Sequence, residues 1–156
     1  MSKVKAVPEG LHTVTAALAV DGASEAIAFY KRAFGAEEVM RAPDPSGKKI
    51  WHASIRIGDS QIFVNDIFPD MPGGANKAKL WIYAENVDAL FKRATEAGAT
   101  VRMPLADMFW GDRVGTVVDR WGNEWSLAQH IKDMTPDEMK KAQDAFVAAI
   151  ANAKKN

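Results

Sequence analysis

Phe29-Tyr30-Lys31-Arg32-Ala33 stands against Leu90-Phe91-Lys92-Arg93-Ala94 at a shift of 61 residues. Each stretch runs into a Gly-Ala pair, Gly35-Ala36 or Gly98-Ala99, and then into Val39-Met40-Arg41 or Val101-Arg102-Met103. A short run of similar letters is weak evidence by itself. The order of elements around the two copies makes it strong, because repetition of a whole module is the mark of duplication.

In the first copy, Val14 to Val20 is apolar and partly β-branched and stops at Asp21-Gly22, which reads as a strand. Ala23 to Gly35 follows with Ala26, Ile27, Tyr30, Ala33 and Phe34 at three-to-four spacing, which predicts a helix closed by Gly35. A second strand starts at Val39 to Arg41, Asp44-Pro45-Ser46-Gly47 turns the chain, and Trp51 to Ile57 and Gln61 to Asp66 form a hairpin about Gly58-Asp59. The second copy repeats this order. Leu80 to Ala84 is a strand and Asn86 an N-cap; Val87, Leu90, Phe91, Ala94 and Ala97 share a helical face. Thr100 to Met103 is a short strand, and Arg113 to Asp119 pairs with Glu124 to Gln129 across Arg120-Trp121-Gly122-Asn123. Module one spans about 13–66, a Pro/Gly-rich linker about 67–78, and module two about 79–130, within one domain over 1–156. A C-terminal helix over about 135–154 begins with the capping box Thr135-Pro136-Asp137-Glu138. Its stripe of Met139, Ala142, Phe146 and Ile150 must bury itself on its own domain or across a dimer.

The predicted fold class is therefore α+β: two tandem βαβββ modules forming curved mixed sheets around a cavity, plus a C-terminal helix. Alternation assigns faces. Ile55, Ile57, Leu80, Ile82, Trp125 and Leu127 belong under the helices. His52, Ser54, Arg56, Lys79, Trp81, Tyr83, Glu124, Ser126 and His130 then face the other way. Polar groups on such a face are costly to bury without partners, so the face reads as a pocket wall.

Composition narrows the function. Among 156 residues, 20 Lys and Arg balance 20 Asp and Glu, and this lack of basic excess argues against nucleic acid as a partner. No Cys is present, which removes disulfides, thiolate nucleophiles and Cys-based metal clusters. No apolar run reaches the length of a membrane span, and Met1 to Gly10 carries lysines but no apolar segment of the signal-peptide kind. A cytoplasmic protein without a membrane partner is expected.

Four stretches carry a family resemblance: Ala26-Ile27-Ala28-Phe29-Tyr30 with Phe34-Gly35-Ala36; His52 through Asp59; Phe109-Trp110-Gly111-Asp112-Arg113; and Asp119-Arg120-Trp121-Gly122-Asn123-Glu124-Trp125. Taken in this order, they resemble the PhnB-like branch of the glyoxalase / bleomycin resistance / extradiol dioxygenase (vicinal oxygen chelate) superfamily. The resemblance covers roughly Val14 to His130. It implies paired modules curving around a ligand cavity, a homodimer, and a metal in many members but not all. The positions where metal-dependent members carry ligands fall on Thr15, near Val64, and on Lys79 and Ser126. None is a His, Asp or Glu, so no metal cofactor is expected.

The expected ligand site is His52, Arg56, Trp81, Tyr83, Trp110 and Glu124, with Ala106 to Arg113 as a lid carrying Trp110. His12 reads as a surface residue and His130 as a strand end. Asp112-Arg113 and Asp119 read as salt-bridged turns rather than catalytic groups. His52, Glu124 and His130 form a conceivable substitute metal set, although no spacing marks it. The expected function is metal-free binding of a small molecule by a homodimer. The alternatives are a metal-dependent lyase, isomerase or dioxygenase, in which the metal would bridge vicinal oxygens, and a scaffold whose cavity is filled by its own side chains.

Overall fold

The first strand, β1 (Ala17–Val20), pairs in parallel with β4 (Ser60–Asp66), and β4, β3 (Ile50–Ile57) and β2 (Glu37–Pro43) continue antiparallel in the order β1-β4-β3-β2. The second sheet repeats this as β5-β8-β7-β6, from β5 (Lys79–Tyr83), β6 (Thr100–Asp107), β7 (Asp112–Val118) and β8 (Glu124–His130). The crossovers are α1 (Ala23–Phe34) and α2 (Val87–Glu96), and α3 (Pro136–Ala153) ends the chain. The structure, a computed structural model, describes residues 4–155. Residues 1–3 of the leading stretch discussed above, and residue 156, lie outside the described residues. The two tandem βαβββ modules and the C-terminal helix are the observed architecture, with sheets that are open rather than closed into a barrel.

Each crossover helix is capped from its own sheet. α1 begins at Gly22, which has no side chain to accept from the free amides, and the Asp66 carboxylate at the end of β4 supplies one instead. Its Oδ1 accepts from the N–H groups of Gly22 and Ala23, both at 2.9 Å, and its Oδ2 from Ile50 N–H at 2.7 Å. In the second module Asn86 accepts from Ala89 N–H at 3.0 Å, and Gln129 of β8 accepts from Val87 N–H at 3.2 Å. α1 stops at Gly35, whose φ of 68° is left-handed. The amides of Gly35 and Ala36 there return to the carbonyls of Lys31 and Tyr30.

One apolar core joins both modules. Leu18, Val20, Ile55 and Val64 lie beneath α1, and Val117, Trp125 and Leu127 extend the same cluster into the second sheet. α1 packs on α2, and the rings of Tyr30 and Phe34 lie 5.0 and 4.6 Å from that of Trp125. Arg93 of α2 donates to the carbonyl oxygens of Arg32 and Lys31 at the end of α1. The modules therefore meet through their helix sides, and the faces away from the helices stay open.

Three local expectations are corrected. β1 starts at Ala17, not Val14, because pairing with β4 begins at Ala17 opposite Phe63 and Val14 is left 86% exposed. β6 runs to Asp107 rather than ending at Met103; as an edge strand with register shifts it accommodates Pro104, which has no amide to donate. The expected lid over Ala106 to Arg113 thus contracts to the turn 108–111 between β6 and β7. Among the described residues, no helix is long and apolar enough to cross a membrane.

Candidate functional site

β7 and β8 are joined by a symmetric hairpin, and its register sets Asp112 opposite His130, Val114 opposite Ala128, Thr116 opposite Ser126 and Val118 opposite Glu124. All eight belong to the open face of the second sheet. β5 adds Lys79, Trp81 and Tyr83, with Leu80 and Ile82 turned to the core. Exposure alternates along β5 as a half-buried strand requires.

The polar centre of this face is Asp112, whose residue is only 3% exposed. Its Oδ2 accepts from the Tyr83 hydroxyl at 2.8 Å and from Trp110 Nε1 at 3.0 Å, and its Oδ1 lies 2.8 Å from His130 Nδ1. His130 Nε2 lies 2.8 Å from Asp133 Oδ1. Burial by itself raises the Asp112 carboxyl, but the bonds from His130, Tyr83 and Trp110 outweigh it and hold the group below its ordinary range. Asp133 first, and Asp112 second, raise the His130 imidazole above its ordinary value. The hydrogen bond to Asp112 is the main cause raising the Tyr83 phenol. An oriented carboxylate thus fixes an imidazole whose side chain is 53% exposed. Such a pair can donate a proton or hydrogen-bond a bound molecule.

Trp81 and Tyr83 lie beside it with ring centroids 6.3 Å apart, and they are 48% and 62% exposed. At the other end of the face Glu124 is held between Lys79, at 3.3 Å, and Arg102. Ser126 and Thr116 share a hydrogen bond of 3.2 Å in between.

Of the six expected ligand residues, Trp81, Tyr83, Trp110 and Glu124 thus belong to the second module, with Tyr83 and Trp110 meeting on Asp112. His52 and Arg56 lie on β3 of the first sheet. There the His52 ring sits edge-on to Phe63 at 4.6 Å, and Arg56 pairs with Glu37. None of these ring contacts, hydrogen bonds or ion pairs crosses between the sheets. Two pronounced clefts lie elsewhere. One of about 150 Å³ is bordered by Trp51, Phe68 and Met71 at the linker; one of about 390 Å³ is bordered by Phe29, Arg32, Arg120 and Trp121.

The Asp112 network went unread in the sequence. Asp112-Arg113 is not a salt-bridged turn: Arg113 pairs with Asp88 and Asp107, while Asp112 turns to the open face. His130 is more than a strand end. Counting outward from the Gly122 turn places Asp112 opposite His130, and that signal was available in the sequence. Asp119, also read as a turn ion pair, is instead a buried acceptor with no cation partner among the described residues. His12 is exposed, as expected.

A metal of the kind the resemblance implies does not fit this donor set. Thr15 is half-buried ahead of β1, and Lys79 and Ser126 offer an ammonium and a hydroxyl. Val64 is a fully buried core residue; alternation turns its neighbours Phe63 and Asn65 to the open face instead, which corrects the expected position. Glu124, a carboxylate on the same face, is already bound by two cations. His52 is on the other sheet from Glu124 and His130, so the substitute set is not assembled within one chain. Among the described residues, no three His, Cys, Asp or Glu side chains are grouped to hold an ion.

Comparison with known proteins agrees with this architecture. The sequence model of the Glyoxalase/Bleomycin resistance protein/Dioxygenase superfamily matches residues 10–127. The uncharacterized protein Mb0911c of Mycobacterium bovis is 41% identical over 137 residues, covering 82% of this chain and 90% of its own. The crystal structure of TioX from Micromonospora sp. ML1 superposes with a TM-score of 0.65 at 28% identity, covering 77% of this chain and 99% of TioX. A PhnB protein from Bacillus cereus shares the fold with a TM-score of 0.59 at 19% identity, over 76% of this chain and 99% of its own.

Proposed function

Since the chain belongs to the Glyoxalase/Bleomycin resistance protein/Dioxygenase superfamily, we propose that it binds a small, partly planar, polar molecule without a metal. In this reading it is a cytoplasmic homodimer of the PhnB-like branch. The binding surface is the open face of the second sheet. The observation that carries the reading is the pairing of exposed Trp81 and Tyr83 with the Asp112–His130 couple. Flat apolar area beside a few oriented polar groups is the usual composition of a ligand site. His130 supplies a hydrogen-bond donor for a ligand oxygen, Trp81 and Tyr83 stack on a planar body, and Lys79 and Arg102 favour an anionic substituent at the far end. Glu124, shared by those two cations, leaves that end with a net positive charge.

Native mass spectrometry of the protein from a cell lysate, with elemental analysis of the same sample, tests this. The expected result is a non-covalent small-molecule adduct, lost in Trp81→Ala and Tyr83→Ala, with no stoichiometric metal. About one Zn, Ni, Fe or Mn per chain would overturn the metal-free reading in favour of a metal-dependent lyase, isomerase or dioxygenase. A ligand retained in both variants would move the site elsewhere.

A further inference from the structure

The cleft of about 390 Å³ lies where α1, the end of α2 and the β7–β8 turn converge, on the helix side of the sheets. Glu25, Ala28, Phe29 and Arg32 fall at three-to-four spacing on α1 and form one wall. Ala28 is small, which leaves that wall hollow between the long side chains of Glu25 and Arg32. Gly98, at a φ of 111°, closes α2 without a side chain, so nothing projects from it into the space. Trp121 is the rigid part. Its amide donates to Asp119 Oδ1 at 3.0 Å and its indole Nε1 to the Asp21 carbonyl at 2.8 Å, so both backbone and ring are held. The indole lies 6.1 Å from the ring of buried Phe29, and together they give the cleft flat apolar area.

Two guanidinium groups border the same space. Arg120 lies over the Trp121 ring at 4.8 Å and pairs with Glu25. Those two side chains are 67% and 65% exposed, so water screens the pair and Arg120 can turn to another anion at little cost. Arg32 makes no ion pair among the described residues; its carbonyl, not its guanidinium, is engaged, by Arg93. Two cations against one carboxylate leave the cleft with one net positive charge. We propose that this cleft is a second binding site, for a planar aromatic monocarboxylate. The single uncompensated charge matches a carboxylate rather than a phosphate group, which carries more than one charge at neutral pH. Arg32 presents a fork that can grip a carboxylate through two parallel hydrogen bonds, while the ligand's ring lies on Trp121 and Phe29. The volume falls within the roughly 300–1,000 Å³ of small-molecule clefts.

This site is independent of the ligand proposed for the open face. Nitrogen–proton correlation NMR of the full chain, titrated with naphthoate and separately with naphthamide, tests it. Five tryptophans give five indole signals; Trp121→Phe assigns that of Trp121 and Trp81→Ala that of Trp81. The expected result is a saturable shift of the Trp121 signal by naphthoate, with a Kd on the order of 0.1–1 mM. Naphthamide, with the same rings and no charge, should bind at least about tenfold more weakly. Arg32→Met, at an exposed helix position, should weaken naphthoate about tenfold, and the backbone amide spectrum verifies its fold. No saturable Trp121 shift up to roughly 10 mM naphthoate would overturn the site. Equal binding of naphthamide, or an unchanged affinity in Arg32→Met, would show that the cleft does not recognise the anion. A shift of Trp81 in place of Trp121 would put naphthoate on the open face, which sinks this inference and leaves the proposed function standing.

Discussion

Tyr30 of α1 donates its phenolic hydrogen to Oδ2 of Asp119 at 2.7 Å, joining side chains 89 residues apart across the two modules. Asp119 is 4% exposed, and protein donors take the place of water around it. Trp125 Nε1 reaches Oδ2 at 3.0 Å, and the amides of Trp121 and Asn123 reach Oδ1 at 3.0 and 2.9 Å. One carboxylate thereby closes the β7–β8 turn and ties it to α1. Burial first, and the adjacent carboxylate second, push the Tyr30 phenol far above its ordinary value, so it remains a donor over the working pH range.

Tyr30→Phe removes one buried, charge-assisted bond and should cost about 1.5–3 kcal/mol. Asp119→Ala strands several donors at once and should cost more than about 3 kcal/mol. Urea denaturation measures both. Losses below about 0.5 kcal/mol in both variants would show that this contact does not hold the modules.

The repeat sets Phe91 opposite Tyr30 rather than Phe34; Phe34 is buried, at 6% exposure, whereas Phe91 is half-buried. Phe34→Ala should cost about 3–5 kcal/mol and Phe91→Ala clearly less. Phe91 instead covers Gly115, where an added Cβ would lie 2.6 Å from its ring. Gly115→Ala should therefore cost about 1–3 kcal/mol by overpacking. A double-mutant cycle with Phe91→Ala should recover part of that loss, while the approach to the Leu105 backbone, at 3.1 Å, limits the recovery.

His130 should titrate above about 6.5, and Asp133→Asn should bring it down, as followed by imidazole resonances in NMR. A folded-state value raised above the unfolded one stabilises the fold at low pH, and that contribution disappears as pH rises through the raised value. Asp112 works the other way: its contribution is present above the ordinary carboxylate value and disappears as pH falls through the lowered one. The network is therefore tightest between those limits. An unshifted His130, indifferent to Asp133→Asn, would show that the couple does not form in solution.

With the co-purified molecule identified, Trp81→Ala and Tyr83→Ala should each weaken its binding about tenfold or more. His52→Ala and Arg56→Ala, on the first sheet, should change it less than about twofold. Isothermal titration calorimetry reads both. Equal losses on the two sheets would mean that the ligand contacts both open faces.

Local patterns carried most of the fold. The Lys-Arg-Ala repeat in the two helices, the Gly35 stop, the Asn86 and Thr135 caps and the alternation along β5 and β8 are set within a few residues of chain, where spacing and turn chemistry suffice. They placed eleven elements in order and told core Trp125 from open-face Trp81. Tertiary structure decided the rest. Whether Asp119 meets a cation or Tyr30, whether His52 shares a face with Tyr83, and which sides of the modules meet depend on contacts between residues far apart in sequence. Packing decides those contacts, because a carboxylate in the core settles wherever enough donors replace its water, and no local spacing records where they are.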